Sequence, residues 1–280
     1  MLTPLRRALV RQVRATFNDQ SKGERPIPRS NQALFPPGSV IWRVHGDVTS
    51  MMAGGVAALL LQMLHPAALA GVWDHSNVHE DMLGRLRRTA RFIAVTTYGE
   101  REAAEAAIAK VRRIHEQVSG VLPDGSEYRA DDPHLLAWVH VAGACMFLDG
   151  WRRYGEPGMS RSDQDRYFAE SGEVARKLGA DPVPDTRVAA DRLIRDFRSE
   201  LNADARSREF RDLVTGAEQG SLAEAAVQKL LMAAAIDLLP GWARRMHGLS
   251  TLPLTAPPIR VATFGLASTL RWAFAREAYR

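Results

Sequence analysis

The amino-acid sequence predicts an all-α protein, and three observations support this. Apolar residues make up 46% of the 280 residues, enough for a large core. Alanine, the strongest helix former, is abundant. β-Branched residues are scattered and do not form the alternating runs that half-buried strands require. We expect one multi-helix domain over residues 41–280, built around a central pair of apolar helices.

Residues 1–40 combine several arginines with several prolines, which is typical of an N-terminal arm and an irregular lead-in. No apolar h-region follows the basic residues, so a secretory signal is not indicated. We therefore expect a cytoplasmic location.

The first long helix is expected over residues 47–64, with Asp47 as its N-cap and Pro66 interrupting it. Between residues 48 and 72 the only strongly polar side chains are Gln62 and His65, and this length could span a bilayer. The Gly54-Gly55 pair and a run of alanines weaken that alternative. We interpret the segment as a buried core helix, apolar on all sides.

Further helices are expected at about residues 82–97, 100–119, 135–154, 162–178, 186–202, 221–238 and 258–276. Gly120 is the expected stop of the helix at 100–119. Pro123-Asp124-Gly125 predicts a turn, and Asp132-Pro133 predicts a capped helix start. Cys145, the single cysteine, lies in an apolar stretch and is interpreted as a small buried hydrophobe.

The chain carries 37 basic and 32 acidic residues, and only four of the basic residues are lysines. The arginines are interspersed with acidic residues and do not alternate with aromatics, so no nucleic-acid partner is expected. The sequence also lacks a Walker loop, a dinucleotide fingerprint and a nucleophile elbow. These absences argue against the commonest nucleotide-using and hydrolase classes.

His115 is the first candidate for chemistry, because it lies on an apolar helical stripe. The stripe follows steps of four and three residues along Ala104, Ile108, Val111, His115 and Val118. One interpretation is a neutral core histidine that is bonded to a backbone carbonyl. The other is a metal ligand, since a neutral imidazole on a rigid helix is a common ligand of haem iron.

Arg85, Arg88 and Thr89 form a second group, spaced to share one side of a helix with Phe92. Arginines beside a buried face need anions. Haem propionates, a substrate carboxylate or protein carboxylates would serve, and ordinary surface arginines are the alternative.

Other histidines are also candidates for pocket or metal-binding residues. His65, at the broken end of an apolar helix, is a plausible pocket residue. His75 and His79 lie near carboxylates, which makes a metal site conceivable. No Glu-x-x-His pair occurs, which argues against a ferritin-like di-iron bundle. His140 and Asp149 either line the same pocket or tie helices together, and three others are expected to be solvated: His45, His134 and His247.

An ordered set of motifs resembles a known family. The set comprises Gly46-Asp47, Leu59-Leu60-Leu61-Gln62-x-x-His65-Pro66, Ala70-Gly71-Val72-x-x-His75-Ser76, Arg85-Leu86-x-Arg88-Thr89, Tyr98-Gly99, His115-x-x-Val118-x-Gly120 and Asp132-Pro133. Over roughly residues 25–250, the chain is similar to the catalytic-domain family of the rubber oxygenases (latex clearing proteins) and the fungal oxygenase mpaB.

The resemblance implies a globin-like helical fold that holds a b-type haem through one proximal histidine. By motif position that ligand is His115, reached with a short gap in the alignment. The haem-pocket motif falls on Arg85, Arg88 and Thr89, with arginine at position 88 where rubber oxygenases are expected to carry lysine. His65 and His75 would line the pocket.

The expected function is therefore a haem-dependent oxygenase or oxidoreductase that acts on a small apolar or aromatic metabolite with oxygen. A polyisoprene substrate is not expected, because rubber oxygenases are longer and secreted. The alternative is a non-catalytic helical protein that binds haem or another hydrophobic ligand. A peripheral membrane contact through the basic arm or the 258–276 helix is a third possibility.

Overall fold

The computed structural model describes residues 23–216, 222–249 and 255–275, together with residues 6, 7, 9–11, 13, 14 and 18 of the arm. The described part contains twelve α-helices, one 3-10 helix and one two-stranded sheet, which confirms the all-α prediction. The elements are α1 Val40–His45, α2 Val48–Gln62, α3 Pro66–His75, α4 Met82–Tyr98, α5 Arg101–His115, β1 Ser119–Val121, β2 Glu127–Arg129, α6 Pro133–Tyr154, α7 Arg161–Leu178, α8 Arg187–Asp196, the 3-10 helix Phe197–Glu200, α9 Ala205–Gly216, α10 Leu222–Leu238, α11 Gly241–Met246 and α12 Ala256–Phe274.

The centre of the fold is the pair α2 and α6, which pack more extensively than any other two described helices. Glycines allow the two backbones to approach closely. A Cβ added at Gly54 would lie 2.8 Å from the carbonyl oxygen of Met146, and one added at Gly150 would lie 2.8 Å from that of Ser50. Helices α10 and α12 pack on α2 as well. The predicted central pair of apolar helices is confirmed.

Two predicted helix starts are also confirmed. The Asp47 carboxylate accepts a hydrogen bond from the Ser50 backbone N–H at 2.8 Å, and Asp132 accepts one from His134 N–H at 2.8 Å. These bonds satisfy N–H groups that have no partner inside their helices. Asp47 also receives a hydrogen bond from Arg271 Nη1 at 2.8 Å, which fastens α12 to the start of α2.

The predicted helix at 100–119 is too long at its C-terminal end. Helix α5 ends at His115, and Gly120 lies in β1 opposite Tyr128 of β2. A Cβ at position 120 would lie 2.8 Å from the Tyr128 ring, so cross-strand packing favours glycine there and the residue is not a helix stop. The predicted turn joins the two strands, with Gly125 at φ +88°.

Pro66 does end the first apolar helix, but a new helix starts at the same residue. Helices α2 and α3 meet at a bend of 105°. No single helix in the described residues is long and apolar enough to cross a bilayer, although α2 and α3 together meet the length and composition criteria. Most of α2 is buried in the core, as predicted.

Candidate functional site

Helices α4 and α5 form a hairpin, and the main candidates lie on its two helices. Only Gly99 and Glu100 separate the two helices, which then pack against each other. At about 1.5 Å per residue, Arg85 and His115 each lie roughly 20 Å from this connection. Both residues therefore lie on the parts of the two helices that are farthest from the connection.

His115 lies at the edge of the core and not inside it. The stripe is fully buried at Ala104 and Ile108, and only half-buried at His115. The Nδ1 atom of His115 is nevertheless buried and has no hydrogen-bond partner within the described residues. Burial lowers the pKa of His115, and the nearby Asp131 opposes that shift only in part. The imidazole is therefore neutral near pH 7, with one nitrogen that no described side chain or carbonyl satisfies.

Arg85 is half-buried on α4. Burial lowers the pKa of its guanidinium, and the neighbouring Arg88 lowers it further. Among the described residues Arg85 forms no ion pair, in contrast to most half-buried arginines of this chain. Such a guanidinium fits an anion that would come from outside the chain.

Arg88 and Thr89 are exposed, so the three-residue motif is only partly buried. The Arg88 guanidinium lies 3.3 Å from the carboxylate of Asp81, the N-cap of α4. The Thr89 hydroxyl donates to the Arg85 carbonyl at 3.2 Å, within the same helix. Both side chains make contacts that cost little to exchange.

His65 already has partners for both ring nitrogens. Its Nδ1 accepts from Ala67 N–H at 3.2 Å and so caps α3, while Nε2 lies 3.6 Å from the Glu200 carboxylate. The same carboxylate lies 3.0 Å from His134 Nε2. Burial still lowers the pKa of His65, against the opposing effect of Glu200. A role in ligand binding would require these contacts to be exchanged.

His75 is exposed at the end of α3, with Nε2 3.2 Å from the Tyr128 hydroxyl. Tyr128 belongs to the hairpin that follows α5, and both Tyr128 and Val118 lie beside Gly71 of α3. The β hairpin therefore connects the α3 candidates to the His115 end of α5. His79 packs edge-on against Trp73, with ring centroids 4.3 Å apart.

Two of the histidines expected to be solvated are not. His45 bonds to the Thr97 hydroxyl through Nδ1 at 2.9 Å and to the Tyr167 hydroxyl through Nε2 at 3.1 Å. His247 is fully buried, with Nε2 2.8 Å from the Leu60 carbonyl oxygen. Their partners come from distant helices, which local sequence context does not reveal. His134 is exposed, as predicted.

Asp149 ties helices together, which was one of its two predicted roles. Its carboxylate pairs with Arg187 of α8 and with Arg152 one turn along α6. His140 has a buried Nε2 without a partner in the described part of the chain, and burial lowers its pKa to about 4.

Neither of the two prominent surface depressions is lined by the predicted haem-site residues, which are Arg85, Arg88, Thr89, His115, His65 and His75. One, of about 810 Å³, lies between residues 31–36 and the start of α5. The other, of about 350 Å³, is lined by Asp149, Arg152, Arg153 and Arg187. Over the described ranges, no cluster of three or more His, Cys, Asp or Glu side chains could hold a metal ion. A haem iron with one axial histidine does not need such a cluster.

The described residues form a mostly helical fold with one two-stranded sheet. The chain belongs to the family described as "ER-bound oxygenase mpaB/B′/Rubber oxygenase, catalytic domain", whose model matches residues 42–272. The predicted family resemblance is confirmed, and the match contains all six predicted site residues. No curated protein and no solved structure matches the chain.

Proposed function

We propose that this oxygenase domain uses haem b, with His115 as the iron ligand, to oxidise a small apolar or aromatic substrate with oxygen. The observation that carries the proposal is the buried Nδ1 of His115, which has no hydrogen-bond partner within the described residues. On the neighbouring helix, Arg85 forms no ion pair with any described residue. A neutral imidazole and an arginine without a counter-ion are the two groups needed to hold an iron and a propionate. When bound, the haem supplies the oxygen chemistry, while the protein supplies ligation, polarity and access.

The role of His115 follows from its environment. Because burial lowers its pKa, the ring stays deprotonated at neutral pH and keeps a lone pair for a metal. The negative charge of Asp131 acts in the opposite direction, because it favours the protonated form of the ring. This carboxylate is itself bonded to Arg129 at 2.8 Å, which limits its pull on the imidazole.

Arg85 would bind a propionate, with Arg88 and Thr89 next to it on the same helix. Thr89 keeps its hydroxyl proton on the Arg85 carbonyl, so it can accept a further hydrogen bond without losing that contact. Arg88 would give up its weak, exposed ion pair with Asp81 in order to bind a ligand or a partner group.

The apolar nature of the proposed ligand and substrate is supported by two exposed side chains. Leu83 at the start of α4 and Ile114 at the end of α5 are among the few large hydrophobic residues that are exposed. Both lie far from the connection between the two helices, where a bound apolar group would shield them from water.

Haem titration followed by absorption spectroscopy tests the proposal. Wild type should gain a Soret band, and His115→Ala should lose it or shift it strongly. His79→Ala is the matched control, since this exposed loop histidine should leave the spectrum unchanged. His65→Ala should keep the band and lower stability by about 1 kcal/mol through the lost cap.

A wild-type protein that shows no Soret band after haem addition contradicts the proposal, as does an unchanged spectrum in His115→Ala. Oxygen uptake by the reduced, haem-loaded protein separates an oxygenase from a haem carrier. Full haem occupancy without any reaction with oxygen would favour the non-catalytic alternative.

A further inference from the structure

Helix α12 presents an apolar face that no described element covers. Val261, Phe264 and Trp272 are 73%, 44% and 43% exposed, although large hydrophobic side chains are usually buried. At 100° per residue the three positions fall within about 80° of one another, so they share one side of the helix. The opposite side, at Thr263 and Ala267, is buried. The helix therefore has an outward apolar stripe, which we call the α12 face.

The positive charge of the chain is concentrated in two segments of the sequence, the arm and the C-terminal region that contains α12. Residues 1–18 contain four arginines and no acidic residue, and residues 238–276 contain five arginines and no acidic residue. Two of these five are paired with buried carboxylates, Arg260 with Asp237 and Arg271 with Asp47, so the exposed basic charge comes mainly from the arm. Since the whole chain has a net charge of only +5, the remainder is net negative. The excess of positive charge therefore lies in these two segments and is not spread along the whole chain.

The arm and α12 are in contact. Arg6 Nε donates to the Ala273 carbonyl at 2.6 Å, and its guanidinium lies 5.9 Å from the centre of the Trp272 ring. On the arm, Arg7 and Arg11 are exposed and four residues apart, hence on one side of a helical turn. These contacts place a basic surface at the Trp272 end of the α12 face.

We propose that the α12 face and the basic arm together bind the surface of an anionic lipid bilayer. An amphipathic helix with Phe and Trp on one side and arginines nearby is suited to lie in a membrane interface. Helix α12 does not meet the criteria for a span, so it would lie on the bilayer and not cross it. A second copy of the chain is a poorer occupant, because a symmetric contact would bring two basic surfaces together.

The surface is independent of the haem proposal, since none of its residues is a predicted site residue. Its test therefore needs no activity. The full-length protein is sedimented with vesicles of phosphatidylcholine alone and of phosphatidylcholine with phosphatidylglycerol. Binding should require the anionic lipid and should weaken as salt is added, because screening acts on exposed charges.

Matched variants distinguish a loss of the proposed membrane-binding surface from a general effect of the substitutions. Val261→Asp should lower the vesicle partition coefficient roughly tenfold, whereas Val188→Asp on α8, where Val188 is 65% exposed, should not. The double variant Arg7→Gln/Arg11→Gln should lower it on the order of 20-fold. Arg112→Gln/Arg113→Gln, on the exposed side of α5, is its charge-matched control. Circular dichroism confirms that each variant is folded.

Three results would overturn the proposal. These are no binding to anionic vesicles, equal losses in the surface and control variants, and a dimer in analytical ultracentrifugation that Val261→Asp dissociates without changing vesicle binding. The last result would assign the α12 face to a second copy of the chain.

Discussion

At the scale of single residues, the buried histidines set the pH dependence of stability. His45 joins α1 to α4 and α7 through two hydroxyl groups, and burial lowers its pKa from 6.5 to about 3. The unfolded chain takes up a proton near the ordinary value, whereas the folded protein resists it until pH is far lower. Between the two values the unfolded state therefore holds more protons.

Stability should consequently fall as pH drops from 6.5 towards 3, with His45 contributing about 1.4 kcal/mol per pH unit. Urea unfolding at pH 7, 6 and 5 measures this slope. His45→Gln should flatten it by that amount relative to wild type, and His79→Gln is the control substitution of an exposed histidine. Equal slopes in wild type and His45→Gln would contradict the assignment. His140, with a pKa of about 4, acts in the same direction and is common to all three proteins.

At the scale of elements, the close approach of α2 and α6 depends on residues without side chains. Gly54→Ala should destabilise the protein by about 1–3 kcal/mol, because its methyl group would press on the Met146 carbonyl. Gly55→Ala is a control one residue away. There the added carbon would lie 3.5 Å from the Phe147 ring, an ordinary contact, and helix propensity improves. Thermal unfolding of both variants compares them, and similar losses would argue against the packing account.

Some of the helices could be predicted from the sequence and others could not. The long helices and their Asp caps could be predicted, because each carries its own pattern of apolar spacing and capping residues. Helices α1, α3, α9 and α11 were not predicted. Two of them have six residues, too few for periodicity to identify, and tertiary packing supplies their stability.

The candidate site was predictable to a similar extent. Spacing placed His115 on an apolar stripe, and the motifs placed Arg85, Arg88 and Thr89 beside each other. The spacing could not show that the apolar stripe of α5 is only half-buried at His115, since its burial there depends on where α5 meets the β hairpin. Nor could it show that His65 has Glu200 as a partner, because 135 positions separate the two residues in the chain.

At the scale of the whole molecule, α12 fastens the chain together. It packs on α2 and α6, and Arg271 pairs with Asp47, whose side chain is almost wholly buried. Arg271→Ala should cost about 3 kcal/mol, since it leaves a buried carboxylate without its cation. A chain that stops at residue 249 should lose more, because it also uncovers apolar surface of α2. Urea unfolding and binding of a hydrophobic dye measure both effects, and a truncated chain as stable as Arg271→Ala would contradict this role.

The order of the helices has a consequence for synthesis. The apolar helix α2 is translated early, whereas its partners α10 and α12 begin at residues 222 and 256. At about 5–20 residues per second, α2 waits on the order of ten seconds for α10 to be made. During that interval the most apolar helix of the protein is a target for chaperones or for aggregation. Slower translation would lengthen the exposure, and the yield of folded protein should therefore depend on how quickly the ribosome reaches the last helix.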